Sequence, residues 1–127
     1  MATESPQLAP KTFAAGGTIT QYRYVKLSAA KTVVQCSGVT DKPIGVSQEG
    51  ATVGQPVAVC MLGVTKLEGD ANLAVGDSIG TSADGQAAAY TAADTTKYIT
   101  GQVIDDNSAA GGLITAAIDC INIRTLA

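Results

Sequence analysis

The sequence holds no histidine and no tryptophan, and its only phenylalanine is Phe13. Without an imidazole, no side chain has an ordinary pKa near neutrality. A serine or cysteine nucleophile therefore has no histidine base, and a histidine-bearing zinc site has no ligand. Aromatic side chains are the bulkiest core fillers, so a chain this poor in them builds a thin core. Cys36, Cys60 and Cys120 are isolated, odd in number and set in apolar runs, with no C-x-x-C pair. They read as buried free thiols of a protein made in a reducing cytosol. No apolar stretch is long enough to span a bilayer; Gly50–Thr65, the longest uncharged run, is broken by Gly and Pro. The start, MATESPQLAPKTFAAGG, lacks the basic and apolar regions of a secretion signal.

What is present is 127 residues, one domain's worth, with 14 glycines and a net charge of −3. The charge argues against nucleic acid as the partner, because phosphate binding needs a basic face. It is uneven. Residues 1–35 carry Lys11, Arg23, Lys26 and Lys31 against Glu4, a net of +3; the remainder carries four cations against ten acids, a net of −6. The basic first third either faces an acidic partner or reflects chance clustering.

Residues 1–17 read as an extended N-terminal arm, interrupted by Pro6, Pro10, Gly16 and Gly17. The arm is either a loose tail or a strap. As a strap it docks Leu8 and Phe13 into a neighbour and pairs its backbone with a sheet edge. The sole Phe favours the strap. Residues 18–127 read as a single compact β domain. Short β-runs recur between glycines: TITQYRYVKL (18–27), KTVVQCSG (31–38), PIGVSQ (43–48), PVAVCML (56–62), VTKLE (64–68), NLAVGDSIG (72–80), GQAAAY (85–90), KYITGQVI (97–104) and GGLITAAIDCINI (111–123). No segment carries a 3.6-residue stripe. The pattern predicts an all-β fold, a small β-sandwich or barrel-like domain. In the first run Tyr22 and Tyr24 share a face, which suits an interface and equally an ordinary β-surface. PVAVCML is apolar on both parities, as for a central strand or one at a subunit interface.

Three segments imitate catalytic or metal motifs. GDSIG (76–80) fits the nucleophile turn G-x-S-x-G, but no helix follows it and the chain has no base, so Ser78 reads as a turn residue. A short echo agrees: VGQPVAV (53–59) and VGDSIGT (75–81) place Pro56 where Ser78 stands, and a turn residue exchanges with proline where a nucleophile does not. SAAK (28–31) spells S-x-x-K between two β-runs and reads as a hairpin turn. Asp105, Asp106 and Asn107 lack the alternating oxygens of a calcium loop. No catalytic residue, metal site or cofactor site is expected.

Four pieces in order carry a resemblance: K-P-I-G-V (42–46), G-x-x-V-x-V-x-x-x-G-V (54–64), G-D-x-I-G followed by D-G (76–85), and G-x-V-I with A-G-G-L-I (101–114). Over roughly residues 18–123 the chain resembles the capsid decoration, or cement, proteins of tailed bacteriophages. The resemblance implies a non-enzymatic, trimeric β domain made in the bacterial cytoplasm. Such a domain sits on the outer surface of the head and staples neighbouring major capsid subunits. It also implies an arm that reaches along the shell, with no role for nucleic acid or membrane. On that basis Leu8, Pro10, Lys11 and Phe13 are expected to be capsid contacts, and Tyr22, Arg23 and Tyr24 to lie at a subunit interface. The alternative is a β-sandwich ligand- or glycan-binding module on a viral fibre or surface structure, which the absence of Trp disfavours.

Overall fold

The fold is that of a computed structural model, which describes residues 10–71, 73–91, 96–105, 111–121 and 124–125. Twelve strands are present among these residues, and no helix. Five of them close a barrel in the order β1-β3-β2-β4-β5: β1 (Pro10–Ala15), β2 (Tyr24–Ala29), β3 (Thr32–Gln35), β4 (Gly45–Ser47) and β5 (Pro56–Cys60). Five more form an open sheet in the order β6-β11-β10-β7-β8: β6 (Leu62–Glu68), β7 (Ser78–Thr81), β8 (Ala87–Ala89), β10 (Gly101–Asp105) and β11 (Leu113–Asp119). The remaining pair is β9 (Tyr98–Ile99) with β12 (Arg124–Thr125). The all-β, barrel-like class predicted from the glycine-cut runs is the class observed.

The double parity of PVAVCML has a direct cause. Val57 and Val59 of β5 point into the barrel, where they meet Phe13, Ala15, Ile19, Val25, Val33 and Ala51. Cys60 points out and joins a second core against the open sheet. There a row runs across three barrel strands, Tyr24 opposite Val46 and Val46 opposite Cys60. It packs with Leu67, Ile79, Val103, Ile114, Ala116, Ile118 and Cys120. The barrel wall is thus apolar on both faces because one face lines the barrel and the other carries the sheet. The strand is central, as one of the two readings of its sequence allowed. Gly45 lies in this wall because a Cβ there would meet the Cys60 carbonyl oxygen at 2.6 Å.

Two expectations are corrected. First, residues 10–15 are not part of an arm. They form β1, antiparallel to β5 from Pro10 opposite Cys60 to Ala14 opposite Pro56, and parallel to β3. The strand closes the barrel because Phe13 and Ala15 are buried in its interior while Thr12 and Ala14 face out; Lys11, on the side of Phe13, is exposed near the end of the strand. Secondly, 18–27 is not one strand. Tyr22 has φ of +61°, and β2 begins only at Tyr24. The left-handed turn lets the Tyr22 N–H donate to the Ser47 carbonyl (2.9 Å) while its own carbonyl accepts from Glu68 (2.9 Å), so the chain stitches β4 to β6 before it enters β2.

The echoed V-G pairs are equivalent turns. Gly54 and Gly76 have φ of +85° and +92°. Gln55 and Asp77 donate backward to the carbonyls of Thr52 and Ala74 (3.0 and 3.1 Å). Their side chains accept from the N–H of the same two residues, each at 2.9 Å. Each turn opens a strand, β5 at Pro56 and β7 at Ser78. Glycine at the third position is what a turn of this kind requires.

Candidate functional site

The mimics of catalytic motifs resolve into turns. Ser78 is exposed at the start of β7, and its carbonyl accepts the Tyr90 N–H within the β7–β8 hairpin. In SAAK, Ala29 pairs with Thr32 and Lys31 takes a φ of +56°, which makes Ala30-Lys31 a two-residue hairpin loop. No group of His, Cys, Asp or Glu among the described residues could hold a metal ion. Asp106 and Asn107 lie outside the described residues. Cys36, Cys60 and Cys120 are free and buried, as expected. Burial pushes the Cys36 thiol up to about 12 and raises those of Cys60 and Cys120 as well. None is a ready nucleophile.

The residues expected to make contacts fall in different places. Leu8 lies outside the described residues. Pro10 begins β1 beside Cys60. Lys11 is exposed near the N-terminal end of β1, opposite Val59 and on the same side of the strand as Phe13. Phe13 is a barrel core residue, 7% exposed. Tyr22 and Tyr24 do not share a face, because the left-handed turn at Tyr22 breaks their alternation. Tyr22 is half-buried, whereas Tyr24 is wholly buried between barrel and sheet. The Tyr24 hydroxyl accepts from Thr100 Oγ1 at 2.6 Å, and burial raises its pKa well above the ordinary phenol value.

Arg23 belongs to an internal latch. Its Nη2 meets Glu68 Oε2 at 3.0 Å, and its Nη1 donates to the Asp84 carbonyl at 3.0 Å. Gln35 Nε2 donates to the same carbonyl at 2.9 Å, and Gln86 Nε2 donates to Glu68 Oε2 at 2.7 Å. The latch ties the barrel strands to β6 and the β7–β8 hairpin. Burial pushes the Glu68 carboxyl up, but the hydrogen bonds and charge of Arg23 together with Gln86 outweigh it, and the net shift is downward.

Two apolar surfaces remain uncovered, and sequence reading identified neither. The first is the outer face of the open sheet. Val64 stands opposite Ala117, which stands opposite Gln102; Leu113 stands opposite Glu68; and Ile104 sits at the bulge of β10. Val64, Ile104 and Leu113 are 40%, 48% and 44% exposed. An antiparallel sheet facing water ordinarily carries polar side chains there. The second surface is a groove of about 630 Å³ at the seam of barrel and sheet. Leu27, Pro43, Ile44, Met61, Cys120 and Ile121 form its walls, and Lys42 joins them as the lining cation. The alternation of β6, β10 and β11 held the signal for the first, in outward positions filled by Val, Ile and Leu. The groove joins residues from four separate segments and left no local pattern.

Comparison with known proteins agrees with this geometry. The model of a family described as phage cement protein matches residues 7–119. Among solved structures, the chain is similar to the head fiber N base of bacteriophage phi29. The TM-score is 0.69 at 20% identity, over 88% of this chain and 94% of that one. At that identity the likeness is one of fold. No curated protein matches the sequence.

Proposed function

The chain belongs to the phage cement protein family, a capsid-associated structural family, and from that premise we propose that it decorates the outer surface of a phage head and staples neighbouring major capsid subunits. The observation that carries the proposal is the uncovered apolar surface on a chain of 12.7 kDa. Leu27, Val64, Ile104, Leu113 and Ile121 are each 40–58% exposed, on two faces of one small body. Large exposed apolar side chains clustered on a small chain suit surfaces that partners cover, and on the sheet Val64, Ile104 and Leu113 are interspersed with Lys66, Thr115 and Gln102. Two such faces suit a protein that touches both copies of itself and a lattice. We propose that the outer face of the open sheet packs in a homotrimer, and that Lys11, Tyr22 and the residues before Pro10 lie toward the shell. Many weak contacts repeated over a lattice give high avidity without a catalytic site. The working role is structural rather than enzymatic, on the virion, after synthesis in the host bacterial cytoplasm.

The test is decoration itself. Heads that lack the protein, mixed with purified protein and examined by cryo-electron microscopy, should show it at regular positions on the outer surface. Protein that stays in the supernatant at micromolar concentration would overturn the proposal. Sedimentation of the free protein tests the trimer separately. A shortened chain lacking residues 1–9 retains the barrel and tests the arm, whereas removal of 1–17 deletes β1 and tests nothing but folding.

A further inference from the structure

We infer that the groove at the seam of barrel and sheet is the seat for a capsid-protein segment that brings an apolar side chain next to a carboxylate. The inference rests on the reading above that the protein binds a head, and it names the chemistry recognised there. Leu27 and Ile121 flank the groove at 51% and 58% exposure, with Pro43, Ile44 and Met61 in its walls. A surface so apolar on a small chain is a cost in water unless something covers it. Its volume, about 630 Å³, exceeds what one side chain fills, so it fits a side chain together with adjoining backbone.

The charge at this groove selects the partner. Lys26 and Asp41 are the sequence neighbours of Leu27 and Lys42, and neither lines the groove. They neutralise each other: Lys26 Nζ meets Asp41 Oδ2 at 2.9 Å, and that same oxygen also accepts the N–H of Ser37 and of Gly38. The ion pair of Asp41 is thus with Lys26 and not with Lys42. Lys42 is exposed and has no ion-pair partner among the described residues. One unmatched cation on an apolar rim calls for an apolar group with a neighbouring acid. A second copy of this chain is the poorer match, because the copies are proposed to pack through the outer face of the open sheet, which leaves the groove for another partner.

The test uses the full-length protein and heads that lack it. Leu27→Asp and Ile121→Asp should each weaken binding at least about tenfold, the scale of losing one buried aliphatic contact. Lys42→Glu should weaken it about tenfold and flatten its dependence on salt, while Lys42→Arg binds as the parent does. All three positions are exposed, so the melting temperature should not change. The inference is overturned if Leu27→Asp and Lys42→Glu decorate heads with the parent's affinity. It is equally overturned if either variant changes the sedimenting mass of the free protein, which would make the groove a contact between copies. Failure of the parent protein itself to bind heads would be seen before any variant is compared, and it refutes the head-binding reading rather than the choice of groove.

Discussion

Replacing Phe13 with alanine separates a barrel strand from a free strap. Phe13 is 7% exposed, opposite Val57 in β5, and packs in a core built mostly of β-branched and small residues, with Ile44 and Met61 against it. A phenylalanine buries roughly 150–250 Å². At about 25 cal/mol per Å² that is worth about 4–6 kcal/mol, an upper value because the unfolded chain already hides part of the ring. The known range for Phe→Ala in a core, about 3–5 kcal/mol, overlaps it. A domain of this size has about 5–15 kcal/mol in all, so the variant loses roughly a fifth or more of its stability. At about 3–6 °C per kcal/mol, Tm should fall by at least about 10 °C in thermal circular dichroism. Lys11→Ala, at an exposed position of the same strand, should stay within about 0.5 kcal/mol of the parent. The assignment of β1 to the barrel is refuted if Phe13→Ala melts within about 2 °C of the parent and instead loses affinity for heads. That pattern would mean that the ring anchors outside its own chain.

Gly45→Ala should be strongly destabilising, because its Cβ would stand 2.6 Å from the Cys60 carbonyl oxygen within a wall packed on both sides; a urea midpoint equal to the parent's would contradict this. Asp41 and Glu68 both titrate below their ordinary values of 3.8 and 4.5, since the bonds to Lys26, Ser37 and Gly38 in the one case, and to Arg23 and Gln86 in the other, outweigh burial. Groups with depressed folded pKa values contribute stability above the unfolded values and lose it as pH falls through the folded ones. Urea midpoints measured from pH 7 to pH 3 should therefore drop most steeply below about pH 4.5, and Glu68→Gln should make that drop shallower; an unchanged acid limb would remove the latch from the account. The three thiols are buried, with Cys36 pushed up to about 12, so a disulfide reagent at pH 8 should modify none quickly in the native protein and all three in guanidinium. A fast equivalent in the native state would show that one of them is accessible.

Much of the barrel was legible because its constraints are local. The two-sided apolar text of PVAVCML announced a strand covered on both faces, either central or at a subunit interface, and the first holds: one face lines the barrel and the other packs on the sheet. The V-G echo announced paired turns, and their glycines have the positive φ that the pattern implies. What escaped reading depended on partners far off in the chain. Pro10, Gly16 and Gly17 made residues 1–17 look unstructured, yet Pro10–Ala15 is held by a strand that begins only at Pro56. The alternation of 18–27 looked continuous because no residue there forbids a strand. Tyr22 turns left-handed only because Ser47 and Glu68 wait on either side to take its backbone groups. Tyr24 looked like a surface aromatic for the same reason, since the sheet that covers it comes from residues 62–119.

The parallel pairing of β1 with β3 and its antiparallel pairing with β5 put the order of synthesis and the order of closure in opposition. Of the five barrel strands, the one made before the others is the one that seals the cylinder, and it must wait until residues 56–60 have been made. Ring closure over so long a span is slow compared with forming the β2–β3 hairpin. During that interval an open-sided intermediate presents Phe13 and an unpaired edge to whatever chain is near. Nascent polypeptides crowded on one messenger are therefore in a position to trade first strands before each has captured its own.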